Sequence, residues 1–257
     1  MNVVDRAGVE ERLRQARAEA FPPGEFVGQE SFVTAGEVLS LGRHAAIGPG
    51  VRVLDLCCGE AGPGLHLTRE LGCTYRGVDA SPDAVARARR RAAEEGLGAC
   101  FDLATVPPLP AGPFDVVLLL ETMLAFPDKR ALLQEVSSAL VPGGRFVFTL
   151  EEGLPLTTGE AEMMPGSETV WLTPLTRFRS DLNRAGLRVR WCMETSRAHR
   201  TTVDALVDAY AAAEPELRQA GAGRTVDDLV ASHRLWSRWL REGRVRKFAA
   251  VAEKVQP

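Results

Sequence analysis

The chain has 257 residues, of which 45% are hydrophobic and 25% charged, a balance that excludes intrinsic disorder and supplies enough apolar side chains for a core. The formal net charge of −3 argues against nucleic acid as a partner, because phosphate binding needs a positive field. The charged first twenty residues do not resemble a secretory signal, and no apolar run approaches the about 20 residues that cross a bilayer. We therefore expect a cytoplasmic protein without a membrane partner. The five cysteines form no C-x-x-C pair, so no metal site is predicted.

The first 45 residues favour two helices and a loop. A helix over 2–20 is expected to end at the Pro22-Pro23-Gly24 run. A second helix over 34–44 begins with the spacing of a capping box, Thr34 and Glu37. We expect residues 1–45 to form a helical cover whose loop 26–32 (FVGQESF) folds over the ligand site.

From residue 50 onward, strand patterns alternate with helix patterns. Strands are predicted over 51–56, 75–79, 99–103, 114–120, 145–150, 187–193 and 245–252. Helices are predicted up to residue 71, from the Ser81-Pro82 start to Gly96, over 129–140, over 174–185 with Thr173 as N-cap, and near 202–213 and 225–241. This alternation predicts right-handed crossovers and a mostly parallel sheet in one domain. Residues 50–194 and 244–254 would form its core, and 195–243 a helical insertion.

The segment after the first strand, residues 53–64, reads VLDLCCGEAGPG. Glycines between a strand and a helix let the backbone approach a ligand, although the same pattern also suits an ordinary tight turn. Asp55 ends an apolar strand, where a carboxylate needs a partner. Asp79 ends the second strand, 20 residues after Gly59, and is placed to accept hydrogen bonds from both hydroxyls of a ribose. Nicotinamide and adenosylmethionine sites both use such an acid.

Four further segments follow in order: GVDAS at 77–81, DLATVP at 102–107, FDVV at 114–117 with Glu121 and FPD at 126–128, and LVPGG at 140–144. With these motifs the chain resembles the class I, Rossmann-like S-adenosylmethionine-dependent methyltransferases of the small-molecule branch, over 50–150 and loosely at the last strand. The resemblance implies a seven-stranded sheet of order 3-2-1-4-5-7-6 with the last strand antiparallel. It also implies methyl transfer from S-adenosyl-L-methionine to an oxygen, nitrogen or carbon of a small molecule, mainly through proximity and orientation.

The resemblance further implies how the cofactor is held. Asp55 would order the glycine loop and hold the methionine ammonium, while Asp79 would take the ribose hydroxyls. The other implied contacts are Cys57, Gly59, Gly62, Ala80, Asp102, Leu103, Leu120 and Glu121. We also count Gln29, in the covering loop, among the cofactor contacts.

Cys57 and Ala61 depart from the family pattern, since both stand where the family has glycine. A positive φ at either residue would cost about 1 kcal/mol or more. The adjacent Cys57 and Cys58 are interpreted as small loop residues beside the cofactor, not as a redox or metal pair.

Any catalytic base must come from outside the shared motifs, because Ala125 occupies a position where the family often has histidine. His199 follows the sixth strand on the substrate side and is one candidate; the alternative is a solvated loop histidine. Glu151 and Glu152 follow the fifth strand, and we select Glu152; the alternative is a solvated loop end. In both cases the candidate would act as a proton acceptor for the nucleophile.

The acceptor is expected to contact segments outside the common core, namely 1–45, 151–172 and 195–243. Within the second of these, Met163, Met164 and Trp171 are predicted to line an apolar pocket.

Two other functions remain open at this point. A protein of this fold could bind S-adenosylmethionine and catalyse a non-methylating step or act as a binding module. A nicotinamide dehydrogenase would also suit Asp79, but the chain lacks a clear G-x-G-x-x-G motif.

Overall fold

A computed structural model describes residues 6–255. Its helices are α1 (Arg6–Ala20), α2 (Ala35–His44), α3 (Gly62–Leu71), α4 (Pro82–Glu94), α5 (Lys129–Ala139), α6 (Thr158–Met163), α7 (Leu175–Arg184), α8 (Ser196–Gln219) and α9 (Gly223–Glu242). Its strands are β1 (Arg52–Leu56), β2 (Thr74–Asp79), β3 (Ala99–Leu103), β4 (Phe114–Leu119), β5 (Leu140–Glu152), β6 (Leu187–Glu194) and β7 (Arg246–Lys254). Residues 2–5 of the predicted first helix lie outside the described range.

The seven strands form one sheet in the order β3-β2-β1-β4-β5-β7-β6. Neighbours from β3 to β5 pair in parallel, whereas β7 runs antiparallel to both β5 and β6. This confirms the predicted topology. The order reverses between β1 and β4, and a doubly wound sheet binds its ligand in the crevice at that point.

Apolar side chains on both faces of the sheet create two cores. Leu54, Val117 and Phe146 belong to the core on one face, while Val53, Val116 and Val147 belong to the core on the other. Adjacent residues of a strand point to opposite faces, so an uninterrupted apolar run such as VVLL in β4 serves both cores. The sheet is thus held rigidly beneath the loops at its carboxyl edge.

Helices α8 and α9 connect the carboxyl end of β6 to the start of β7. They therefore lie at the carboxyl edge of the parallel strands, which we call the ligand edge of the sheet. A separate apolar cluster joins α8 and α9 to α1, through Ala16, Leu206, Tyr210, Leu217 and Val226 among others. The amino-terminal helix therefore packs on the insertion as part of one helical layer. Among the described residues, no helix has the length and apolar character required to cross a bilayer.

The helix ends largely follow the predicted signals. Thr34 and Glu37 form both hydrogen bonds of a capping box, and the Ser81 side chain accepts from the Ala84 N–H. The prediction of Thr173 as an N-cap is wrong, because Pro174 precedes α7 and no side chain caps it. The predicted helices of the insertion are also too short, since α8 begins directly after Thr195.

Candidate active site

The glycine loop between β1 and α3 is built from left-handed residues. Cys57, Gly59 and Ala61 have φ angles of 55°, 55° and 59°. Two of them are not glycine, and each such residue costs about 1 kcal/mol or more. A Cβ added at Gly59 would meet no atom within 4 Å, so the loop leaves open space at this residue. The Cys58 N–H anchors the loop by donating to the Val78 carbonyl at 3.0 Å.

Asp79 ties the end of β2 to the two segments that follow β1 and β2. One carboxylate oxygen accepts from the Gly59 N–H and the other from the Ser81 N–H, both at 2.8 Å. Each carboxylate oxygen has a second lone pair, so Asp79 can still accept from two ligand hydroxyls. Ala80 follows directly and is exposed beside it.

Asp55 lies beneath the loop and is 4% exposed. Its carboxyl accepts a hydrogen bond from the Tyr75 hydroxyl at 2.7 Å. Burial raises the pKa of Asp55 to about 7, although the Tyr75 hydrogen bond acts against this shift. A cation arriving near the loop would favour ionisation of this carboxyl.

The adjacent cysteines remain thiols at neutral pH. Burial, together with the nearby carboxyl groups of Asp79 and Asp55, raises the pKa of Cys57 to about 12. The pKa of Cys58 is raised for the same reasons. A thiol is a weak nucleophile and metal ligand, so the pair acts through its size and not through its reactivity.

The expected direct role of Gln29 at the cofactor needs correction. Its side chain is buried, and its Oε1 accepts from the Val27 N–H at 2.7 Å. Its Nε2 donates to the carbonyls of Glu25 at 3.0 Å and Val33 at 2.9 Å. The amide is thereby occupied within the amino-terminal loop, which it orders.

Gly62 allows the same amino-terminal loop to pack closely on the start of α3. A Cβ at Gly62 would lie 2.3 Å from the Val27 carbonyl oxygen, so the loop can pack on the start of α3 only because the residue is glycine. The cofactor contact expected of Gly62 stays a prediction, and the structure adds this contact with the covering loop.

The end of β3 offers an exposed apolar surface and a paired carboxylate. Leu103 is 54% exposed. Asp102 accepts from Arg76 Nε at 2.6 Å, so an adenine amino group would share this carboxylate with a guanidinium.

A cavity of about 200 Å³ lies at the carboxyl end of β4 and β5. Phe32, Leu124, Met164, Val170 and Trp236 are among its apolar lining residues, and Glu121, Glu151 and His233 among its polar ones. These residues come from the amino-terminal loop, the ends of two strands, the loop 153–174 and α9. Of the three side chains predicted to line a pocket, Met164 does so, while Met163 and Trp171 are 53% and 49% exposed.

A buried lysine lies between the two glutamates of this cavity. Lys247 Nζ is 2.5 Å from Glu121 Oε1 and also contacts Glu151 Oε1, with Glu151 and Lys247 directly opposite each other in the β5–β7 ladder. Burial opposes the charge of Lys247, but the two carboxylates raise its pKa above the usual value. The ammonium therefore stays charged. Glu121 follows Leu120 at the end of β4 with φ 63°, and its N–H donates to Thr149 Oγ1 at 2.6 Å.

His199 is not the solvated loop residue of the alternative interpretation, because it is 4% exposed in the first turn of α8. Its Nε2 accepts from the Trp236 indole N–H at 3.3 Å, which assigns the proton to Nδ1. Nδ1 lies 3.8 Å from Glu121 Oε2. Burial holds the pKa of His199 well below its usual range. With one nitrogen protonated and the other occupied, His199 has no free lone pair for a substrate proton.

Glu152 lies outside the cavity. Successive strand residues point to opposite faces, and Glu152 accepts from Arg246 Nε at 2.9 Å while Glu151 lines the cavity. Of the two glutamates, the structure thus places Glu151 at the cavity and the selected Glu152 beside Arg246. The stronger signal was Lys247, a lysine inside the apolar strand VRKFAAVA, because a buried ammonium requires carboxylates nearby.

His233 is the other functional candidate that sequence reasoning passed over. Its Nδ1 is 2.6 Å from the Leu229 carbonyl and donates to it, leaving Nε2 unprotonated. Burial lowers the pKa of His233 to about 4. One histidine within a helix carries no local signal for a site, since only the packing of α9 brings it to the cavity.

Comparison with known proteins agrees with this architecture. A family model described as a methyltransferase domain matches residues 47–175, half of the chain. Methyltransferase GfsG of Streptomyces halstedii is 28% identical over 191 residues, which cover 70% of this chain and 68% of that protein. Further curated relatives, with names specifying acceptors such as a fatty acid and tocopherol, match over 27–49% of their own length.

Solved structures share the whole fold. A putative sarcosine dimethylglycine methyltransferase from Galdieria sulphuraria superposes with a TM-score of 0.78 at 16% identity, covering 87% of this chain and 85% of that one. The [4+2]-cyclase SpnF superposes with a TM-score of 0.75 at 19% identity, covering 97% and 94%. At such identities the likeness concerns the fold.

Sheet order, glycine loop and the acidic end of β2 define the class I, S-adenosylmethionine-dependent methyltransferase architecture. The chain belongs to the methyltransferase-domain family and is an enzyme that uses S-adenosylmethionine as its cofactor. The residues present fit this group, because Gly59 leaves open space and Asp79 retains acceptor positions for a ribose.

Proposed function

We propose that this methyltransferase acts on a small, largely apolar molecule bound in the cavity beside Glu121. The observation that carries the proposal is the position of Glu121 itself. It lies two residues after β4, at the crevice where a doubly wound sheet binds its ligand, and it also lines the cavity. One residue thus borders both the cofactor region and the space for the acceptor.

Each predicted cofactor residue would contact a different part of S-adenosylmethionine. Asp79 would bind the ribose hydroxyls, Gly59 would leave room for the backbone to approach, and Asp55 would balance the methionine ammonium. Ala80, Asp102 and Leu103 would border the adenine, and Leu120 the methionine. Bound there, the cofactor supplies an electrophilic methyl group on a sulfonium.

The cavity wall would orient the acceptor and exclude water. Phe32 comes from the amino-terminal cover, Met164 and Val170 from the loop after β5, and Trp236 from the insertion. The cover (1–45), a loop of the core (50–194 and 244–254) and the insertion (195–243) therefore each contribute to one space, which supports this division. Positioning of this kind can supply much of the rate enhancement of a displacement reaction.

The geometry favours Glu151 over His199 and Glu152 as the group that receives a proton from the acceptor. Its Oε2 is buried and has no hydrogen-bond partner among the described residues. His233 Nε2 is a second unprotonated group on the same wall. The five free thiols suit a reducing compartment, which supports the cytoplasm as the place of action.

The experiment is transfer of radiolabelled methyl from S-adenosylmethionine to a panel of small apolar alcohols, amines and carbon acids. Thr169→Trp fills the cavity mouth from an exposed position, and Glu168→Trp adds the same side chain outside the cavity. We expect Thr169→Trp to lower transfer at least about tenfold with unchanged S-adenosylhomocysteine affinity, and Glu168→Trp to change neither.

Two results would contradict the proposal. If label stays on the cofactor with every panel member, the non-methylating alternative gains support. If Thr169→Trp transfers methyl as fast as the parent, the acceptor binds elsewhere.

A further inference from the structure

The polar part of the cavity wall consists of hydrogen-bond acceptors without donors. Glu121 Oε2, Glu151 Oε2 and His233 Nε2 are all buried, and none has a hydrogen-bond partner within residues 6–255. All three residues line the same cavity. Leaving a buried polar atom without a partner is costly, so three together on one wall indicate that a ligand completes them.

Nearby donors are either already used or too distant: the His199 Nδ1–H lies 3.8 Å from Glu121 Oε2, beyond hydrogen-bond distance. The Trp236 indole N–H donates to His199 Nε2. Ser232, also in the cavity wall, donates its hydroxyl to the Leu229 carbonyl at 3.0 Å. Lys247 contacts Oε1 of both glutamates and leaves their Oε2 atoms free. The missing donors must therefore come from the ligand.

The cluster also carries one uncompensated negative charge. Glu121 and Glu151 are opposed by Lys247, while His199 and His233 are neutral because burial lowers the pKa of each. Two charged groups interact with the cluster from its margins, Glu37 with Glu121 and Lys129 with Glu151. They carry opposite signs, so the balance stays negative, and a buried net charge favours a ligand of the opposite sign.

We propose that the acceptor of this enzyme is an amine, bound as a cation with its nitrogen against Glu121 and Glu151 and its apolar body against Phe32, Leu124 and Trp236. One ammonium proton passes to Glu151 Oε2, and the freed nitrogen lone pair then forms the N–CH3 bond as the S–CH3 bond of the cofactor breaks. This assignment rests on the proposed function, since it names the acceptor class of that site. An ammonium supplies up to three N–H donors and one positive charge, which match the free acceptors and the charge balance of the wall. A neutral alcohol would donate to one acceptor and leave the negative charge of the cluster uncompensated.

The test measures binding without turnover. The full chain is saturated with S-adenosylhomocysteine, which lacks the sulfonium charge, and titrated with 2-phenylethylamine, 2-phenylethanol and phenylacetate. Calorimetry gives the affinities. We expect the amine to bind at least about tenfold tighter than the alcohol, and the carboxylate not to bind.

The variant Glu151→Gln removes the net charge while keeping an oxygen opposite Lys247, and should bring the amine to within about threefold of the alcohol. Glu152→Gln, on the outer face of the same strand, is the matched control and should preserve the preference. Should Glu151→Gln fail to fold, Thr169→Arg places a cation at the cavity mouth without changing the cluster, and Thr169→Gln is its control. Thr169→Arg should weaken the amine and leave the alcohol unchanged.

The inference is overturned if the alcohol binds as tightly as the amine, if no probe binds saturably, or if the amine preference survives both Glu151→Gln and Thr169→Arg. Methyl transfer to alcohols but not to amines would also overturn it while upholding the proposed function. Loss of S-adenosylhomocysteine binding by the parent chain would instead count against the cofactor site.

Discussion

The two halves of the ligand edge are built by different means. The region after β1 and β2 uses backbone N–H groups, positive φ angles and the carboxyl groups of Asp55 and Asp79, all within residues 55–81. The region after β4 and β5 uses buried charged side chains from three distant positions, Glu121, Glu151 and Lys247, beside an apolar wall. A backbone site depends on local conformation, whereas a buried charge cluster depends on every partner being present. The two regions should therefore fail differently when a single residue is changed.

Removing the lysine of the charge cluster should give the largest loss of stability. Lys247→Met leaves two buried carboxylates without a counterion, which costs about 3–5 kcal/mol of unfolding free energy. The free energy of unfolding is measured by urea titration, with circular dichroism as the probe. Lys254→Met, which removes one ammonium-to-carbonyl hydrogen bond from the same strand, should cost about 1 kcal/mol.

The triple variant Glu121→Gln, Glu151→Gln, Lys247→Met tests the cause of that loss. Without any charge in the cluster, most of the stability should return. If Lys247→Met is no worse than Lys254→Met, charge balance does not hold this region together.

The variant Asp79→Ala should instead stay folded and lose its affinity for the cofactor. Asp79 is partly exposed and accepts from the N–H groups of Gly59 and Ser81, two hydrogen bonds that hold the loop in position while solvent can replace them when the carboxylate is removed. We expect S-adenosylhomocysteine affinity to fall at least about 100-fold by calorimetry, through loss of both the ribose contact and the loop anchor. Asp83→Ala, one turn into α4, is the control and should bind normally; equal loss in both variants would contradict a specific function for Asp79.

The same contrast explains which parts the sequence could predict. The capping box at Thr34 and Glu37, the Ser81 N-cap and the acid that ends β2 are local patterns, and each is confirmed. The strand order came from the family resemblance and is also confirmed. Cys57 and Ala61 could be recognised as departures because the motif around them is contiguous. The physical reason is that a strand-to-helix turn is specified by neighbouring residues.

The acceptor cavity could not be predicted in this way. Glu151 and Glu152 are adjacent and chemically alike, and which of them faces the cavity depends on the register of β5 against β7. His199 has the right residue type and position, but its nitrogen is occupied by Trp236, which lies 37 residues further along the chain. Gln29 was predicted to touch the cofactor, and its amide is instead used by its own loop. Each of these outcomes depends on packing between distant segments.

Asp55 offers a pH-dependent probe of the backbone-built region. Its native pKa of about 7 exceeds the usual value near 4, so between these pH values the folded chain holds a proton that the unfolded chain has released. Stability from this group is therefore greatest at low pH and falls as pH rises toward 7, by up to about 1.4 kcal/mol per unit. The buried histidines act in the opposite direction, and the difference between parent and Asp55→Asn cancels them. A difference that does not change between pH 5 and pH 7 would contradict the raised pKa.

The smallest effect on stability, and the sharpest test of local conformation, comes from two glycines with the same geometry in different places. Gly59 and Gly96 have φ angles of 55° and 65°, and a Cβ at either would meet nothing within 4 Å. Alanine at each should cost about 1 kcal/mol of unfolding free energy, because the strain is the same. Gly96 follows α4, away from the carboxyl edge, so Gly96→Ala should bind S-adenosylhomocysteine normally. Gly59→Ala places its methyl group in the open space of the loop and should weaken binding at least about tenfold. Equal binding by the two variants would mean that the open space at Gly59 does not receive the cofactor. The assignment of the cofactor site to the region after β1 and β2 would then be wrong.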